Sequence, residues 1–165
     1  KAGRPLATLA DLQGPKVRVG KFPEGALRLE AERLDFSIEI DSAGTGDYHI
    51  GAPPDRRAQA VALRHGADIS RLAARQVSEA DFRRFDHVIA LDHENLQVLR
   101  RIRPNDATAR LSLLLDHVEG RAGEPVADPY YGHADGFETT WKDVTAGAKA
   151  LLAQLIEDRE REKAD

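Results

Sequence analysis

The sequence predicts an α/β fold: a doubly wound, four-stranded parallel sheet with helices on both faces. Three observations carry that prediction. Short runs that read as buried strands alternate along the chain with segments of helical spacing, the pattern of a parallel sheet covered on both sides. The 165 residues suit one domain with one core. No internal repeat or low-complexity linker interrupts the alternation.

Leu6-Ala7-Thr8-Leu9-Ala10 is the first candidate strand. Pro23 to Leu34 suits a helix: proline stands at its start, Glu24 favours the first turn, and Ala26, Leu27, Ala31 and Leu34 share a face. Ile38-Glu39-Ile40 is a second strand, ended by the turn formers Asp41-Ser42-Ala43-Gly44-Thr45-Gly46. Pro53-Pro54-Asp55 opens a helix that runs to about His65 and stops at Gly66. Ser78 is an N-cap for a helix through Phe85. His87-Val88-Ile89-Ala90-Leu91 is the clearest buried strand, and Glu94 to Arg103 is a helix ended by Pro104. Ala109 to Leu115 gives the last strand. Phe137, Trp141, Val144, Ala148, Leu151, Leu152 and Leu155 recur at helical spacing and mark a long C-terminal helix. The charged tail Glu157 to Lys163 is expected to fray or to extend that helix into solvent.

Composition narrows the function classes. The chain is 41% hydrophobic and 32% charged, a soluble globular balance. A net charge of −4 with interspersed signs gives no support to a nucleic-acid partner. No apolar run approaches the roughly 20 residues that span a bilayer, and the N-terminus lacks signal-peptide architecture, so a cytoplasmic location is expected. There is no cysteine, which excludes a thiolate nucleophile, a cysteine-ligated metal and a disulfide. The histidines, His87, His93 and His117 among them, show no metal-ligand spacing, and neither a metal nor a cofactor is expected.

In doubly wound sheets ligands bind outside the carboxyl ends of the strands. Residues 11–18, 41–48, 92–95 and 116–131 are therefore the segments to inspect. They contain or adjoin a series of short motifs in a definite order. These are Ile40-Asp41-Ser42-Ala43-Gly44-Thr45, Pro53-Pro54-Asp55-Arg56-Arg57-Ala58, Arg64-His65-Gly66, Ala74-Arg75-Gln76-Val77, Asp81-Phe82, Leu91-Asp92 with Asn95, and Asp128-Pro129-Tyr130-Tyr131-Gly132. Together, in this order and spacing, they resemble the low-molecular-weight protein tyrosine phosphatases over about residues 24–156. Pro23-Glu24-Gly25-Ala26-Leu27 fits the helix that in that family follows the phosphate-binding loop.

The loop itself, a Cys, five residues and an Arg, should lie just upstream, and it is absent. Residues 4–22 instead contain Asp11-Leu12-Gln13-Gly14-Pro15-Lys16 followed by Arg18, which resembles one barrel strand of pyruvate kinase. The division expected is thus 1–23, a pyruvate-kinase-like segment that supplies the first strand, and 24–165, a phosphatase-like domain without its catalytic loop.

The family resemblance implies hydrolysis of aryl phosphate monoesters such as phosphotyrosine. In that chemistry a Cys attacks phosphorus, an Asp protonates the leaving phenolate, and loop amides with an Arg hold the phosphate oxygens. It implies Asp128 as general acid, Tyr48 and Tyr130, with Tyr131 beside it, as walls of the substrate cleft, and Ser42 and Asp92 as supports of the loop. Read without the resemblance, Asp128-Pro129 opens a turn, the tyrosines pack a loop, and Ser42 and Asp92 cap a strand or helix. No residue supplies the nucleophile. An inactive chimera or pseudophosphatase is the expectation. The alternatives are a module binding phosphate or phosphotyrosine proteins through Tyr48, Tyr130, Lys16 and Arg18, and an enzyme using Asp11 as nucleophile.

Overall fold

The computed structural model describes residues 16–19, 21–46, 50–127 and 134–164. Strand β1 (Lys16–Val19) leads into helix α1 (Lys21–Ala31), followed by β2 (Glu39–Ser42), α2 (Arg56–Arg64), α3 (Glu79–Arg84), β3 (His87–Ala90), α4 (His93–Ile102) and β4 (Arg110–Leu113). A 3-10 turn, Leu114–His117, follows β4, and α5 (Ala134–Ala164) closes the chain.

Among the described residues, four strands form one sheet in the order β2-β1-β3-β4, and each of their pairings is parallel. β1 is central: Val17 pairs with Ile40 on one side and with His87 on the other. The position anticipated for Leu6–Ala10 is therefore held by Lys16–Val19. Leu6–Ala10 themselves lie outside the described residues.

Helices cover both faces, as a doubly wound sheet requires. On one side Ile40 and Ile89 meet α1, α2 and α5 in a cluster that includes Leu27, Val61, Ile69 and Trp141. On the other, Val88, Ala90 and Leu113 meet α3 and α4 through Phe82, Phe85, Leu96 and Leu99. The two cores are thick enough to bury Phe82, Phe85, Leu27 and Leu151 almost completely.

Two close approaches fix the first of these layers. A Cβ on Gly25 would stand 2.5 Å from Ile69 Cγ2, and one on Gly147 would stand 2.4 Å from Leu114 Cγ. Helices α1 and α5 thus approach their neighbours at positions where only glycine fits. Gly66, at φ +93°, ends the turn after α2 in the left-handed region that glycine enters freely.

The helix ends follow ordinary capping chemistry. Asp55 accepts from the Arg57 N–H at 2.7 Å at the start of α2. The Ser78 N–H donates to Asp81 at 2.9 Å ahead of α3. Proline at position 23 sits in the first turn of α1, where its missing N–H costs nothing. Along α5 the apolar stripe from Phe137 to Leu155 is buried as its spacing predicts, and the charged tail continues the helix to Ala164. No helix among the described residues is long and apolar enough to cross a membrane.

Candidate functional site

The strand order reverses at β1: the chain moves to β2 on one side and to β3 and β4 on the other. That switch point opens a crevice at the carboxyl end of β1, flanked by the exits of β2 and β3. The two exits are built differently.

β2 ends at Ser42, which is buried and pairs in register with Val19. The chain then passes through Ala43 and Gly44, where two main-chain hydrogen bonds pin it. Gly44 donates to the Arg75 carbonyl at 2.8 Å, and its own carbonyl accepts from Val77 at 2.9 Å. Farther along, Gly51 donates to the Ala74 carbonyl at 2.7 Å, and Ala74 donates to the Ala52 carbonyl at 2.8 Å. The segment containing Tyr48 is therefore tied to residues 74–77 at both ends. Tyr48 itself lies outside the described residues.

Beneath this tie runs a charged relay. The Arg75 guanidinium stands 3.4 Å from Asp41 and 2.6 Å from Asp81, whose carboxylate is buried. Burial raises the Asp41 carboxyl above its ordinary value; the Ser42 N–H opposes that shift, and the nearby negative charge of Asp81 adds to it. Arg75 stands inside one of the motifs of the phosphatase resemblance, but nothing in the sequence indicated that it would bridge two acids on different elements.

β3 ends at Ala90, and Asp92 caps α4. Its carboxylate accepts from the Asn95 N–H at 2.8 Å and from the Asn95 side-chain amide at 2.6 Å. Of the two readings left open for Asp92, the helix cap is the one that the hydrogen bonds display. A cavity of about 50 Å³ lies between the two exits, with Thr45 and Asn95 as its polar lining and Val77, Leu91 and Leu99 among its apolar walls.

The third approach to the crevice comes from the loop ahead of α5. The Val126 N–H donates to the Leu91 carbonyl at 2.8 Å, and the Thr140 hydroxyl donates to the Ala127 carbonyl at 3.1 Å. These bonds deliver the chain to the exit of β3 one residue before Asp128. Asp128, Tyr130 and Tyr131 lie outside the described residues. The anchoring by Thr140 was not visible in the sequence, because a threonine on a long helix carries no signal of what it faces.

The floor of the crevice differs from expectation. β1 stops at Val19 and α1 starts at Lys21, so a single residue joins them. Lys16 and Arg18, expected to follow the first strand as a basic anion site, lie within β1 and pair in register with Glu39 and Asp41. Asp11 lies outside the described residues.

Away from the crevice, His65 and His93 hold structure together. His65, at the end of α2, stands 2.8 Å from Glu138 and stacks on Trp141 with ring centroids 5.3 Å apart. Hydrogen bonds from His65 and then Arg64 hold the Glu138 carboxyl below its ordinary value, the His65 bond being the larger cause. His93 Nε2 stands 2.8 Å from the Gly123 carbonyl oxygen.

With this geometry in view, comparison with known proteins is direct. The family model for low molecular weight phosphotyrosine protein phosphatase matches residues 24–161. The chain is 41% identical over 136 residues to a low molecular weight protein-tyrosine-phosphatase of Streptomyces coelicolor, covering 81% of this chain and 82% of the relative. It is 38% identical over 127 residues to the Bacillus subtilis protein YfkJ, a low molecular weight protein-tyrosine-phosphatase, covering 77% and 80%. Among solved structures, the crystal structure of YfkJ from Bacillus subtilis superposes with a TM-score of 0.76, covering 87% of this chain and 93% of that one.

Proposed function

The chain belongs to the low molecular weight phosphotyrosine protein phosphatase family, and from that membership we propose that it is a pseudophosphatase, a family scaffold without the family's hydrolytic chemistry. The observation that carries this reading is the joint between β1 and α1. One residue separates them, and the chain contains no cysteine. A loop of a Cys, five residues and an Arg has no place there.

Two separate contributions disappear with that loop. The first is the nucleophile, without which no phosphoenzyme forms. The second is the ring of backbone N–H groups and the Arg that balance charge on the phosphoryl oxygens, usually the largest electrostatic term in such a site. Asp128 as general acid has nothing to assist: it protonates a leaving group only while a bond to phosphorus is being broken. In this reading residues 1–23, with their pyruvate-kinase-like sequence, are the foreign part of a chimera and replace the loop with plain strand.

Recognition of phosphate or of phosphotyrosine proteins weakens for the same reason. Tyr48, Tyr130 and Tyr131 remain to hold an aromatic ring, but the phosphate would meet no cradle. Lys16 and Arg18 stand in register beside the acidic Glu39 and Asp41, which oppose an anion.

Hydrolysis of p-nitrophenyl phosphate tests the proposal. The expected rate equals that of an Asp128→Ala control and of buffer; a rate well above both would overturn it. Calorimetry with a phosphotyrosine peptide at millimolar concentration is expected to show no heat of binding. Saturable binding there would mark the chain as a phosphate-recognising module instead.

A further inference from the structure

We propose that Ser112, on the outer strand of the sheet, is an activated nucleophile toward acyl electrophiles, with His117 as its general base and Gln154 as the residue that positions the base. The three come together because β4 turns sharply at its end. After Leu113 the chain makes the 3-10 turn Leu114–His117, which folds His117 back over Ser112. The Ser112 Oγ stands 2.9 Å from His117 Nε2. The other ring nitrogen, Nδ1, stands 2.6 Å from Gln154 Oε1 on α5.

The hydrogen-bond directions follow from the donors available. A carboxamide oxygen only accepts, so Nδ1 carries the ring proton and donates it to Gln154. Nε2 is then left with its lone pair, and the Ser112 hydroxyl donates to it. This is the relation of nucleophile, base and orienting group that activates a serine.

The turn that holds His117 is itself fixed. Asp116 accepts from the Leu113 N–H at 2.9 Å and from the Gly123 N–H at 2.7 Å. Its carboxylate therefore rigidifies the turn. β4 is an edge strand, and both Ser112 and His117 are partly exposed, so a small electrophile reaches them from the open edge. Gln154 sets the tautomer but adds no negative charge to favour an imidazolium. The arrangement thus suits acyl donors with good leaving groups rather than stable amides.

With p-nitrophenyl acetate as donor, the Ser112 Oγ attacks the carbonyl carbon while Nε2 takes the hydroxyl proton. The bond to the aryl oxygen then breaks, p-nitrophenolate leaves with the electron pair, and His117 passes its proton to solvent. The product is an acetyl ester on Ser112. This chemistry uses neither the crevice nor Asp128, so its failure and that of the phosphatase-family reading are separate events.

Peptide mapping after treatment of the full chain with p-nitrophenyl acetate tests the proposal. A hydroxylamine-labile acetyl group is expected on Ser112, forming about a hundredfold faster than on the exposed Ser70 and Ser78, the range of general-base assistance. His117→Asn is expected to bring Ser112 down to the rate of those two serines, and Gln154→Glu to speed its acetylation. Equal rates at the three serines in the unaltered chain would overturn the proposal, and that comparison needs no variant to fold. Unchanged acetylation in His117→Asn, or slower acetylation in a folded Gln154→Glu, would overturn it as well.

Discussion

Replacing Val17 by proline probes the strand on which the sheet depends. Val17 is the residue of β1 that pairs with Ile40 in β2 and with His87 in β3. Proline removes its N–H and fixes φ near −65°, away from strand values, and sheets accept it only at edges or bulges. The lost ladder bond leaves its acceptor unpaired inside the sheet, which costs about 1–3 kcal/mol. Distortion of a strand paired on both sides adds to this, so a total at the upper end of that range, about 3 kcal/mol, is expected. For a chain of this size each kcal/mol lowers the melting midpoint by about 2–4 °C, so a fall of about 6–12 °C is expected. Total stability is usually about 5–15 kcal/mol, so the variant remains folded at room temperature and the shift is measurable. Circular dichroism melts of the parent, Val17→Pro and Val17→Ala provide the comparison. The alanine variant keeps the N–H and is expected to lose less. A proline midpoint within about 1 °C of the parent would refute the placement of Lys16–Val19 at the centre of the sheet.

Gly147→Ala opposes two effects on α5. Helix propensity favours alanine by about 1 kcal/mol, but its Cβ would lie 2.4 Å from Leu114 Cγ, on a side chain that is 1% exposed. Overpacking at about 1–3 kcal/mol is expected to prevail, and a raised urea midpoint would contradict that. Asp92→Ala removes the acceptor for the Asn95 N–H and is expected to cost about 1 kcal/mol in a urea titration, the worth of an N-cap. Burial lowers the pKa of His87 from 6.5, and the positive charge of Arg110 adds to that shift. The unfolded chain then binds the proton more readily than the folded one. This contribution to stability is complete above about pH 6.5 and falls as the pH drops below it. His87→Leu is expected to flatten the slope of stability against pH below that value, and an unchanged slope would contradict it.

Much of the fold was legible because each element carries its own periodicity. Six heptad-like positions on α5, from Trp141 to Leu155, name its buried face directly, and Ser78 and Gly66 mark helix ends by chemistry that does not depend on tertiary context. Among the described residues the first strand is Lys16–Val19, and Leu6–Ala10, which the pattern favours, lies outside them. Leu6–Ala10 is uniformly apolar apart from one threonine, whereas Lys16-Val17-Arg18-Val19 alternates charged and apolar residues. Burial on both faces made the apolar run the better central strand by pattern. The register instead pairs Lys16 with Glu39 and Arg18 with Asp41 in the adjacent strand. Such a pairing cannot be seen from either segment alone. The crevice was legible in outline, since Ser42 and Asp92 do stand at strand exits. Its ties were not: the Val126–Leu91 and Gly44–Arg75 hydrogen bonds are between backbones, which leave no mark in residue identity.

In the proposed pseudophosphatase the family's catalytic loop is lost between β1 and α1. The most direct test is turnover of p-nitrophenyl phosphate by the parent beside a variant carrying a Cys, five residues and an Arg inserted at position 20. The parent is expected to match buffer, and the variant to hydrolyse the ester in a manner abolished by changing its new Cys to Ser. Hydrolysis by the parent at a rate comparable to the loop-bearing variant would show that the chain is an active phosphatase.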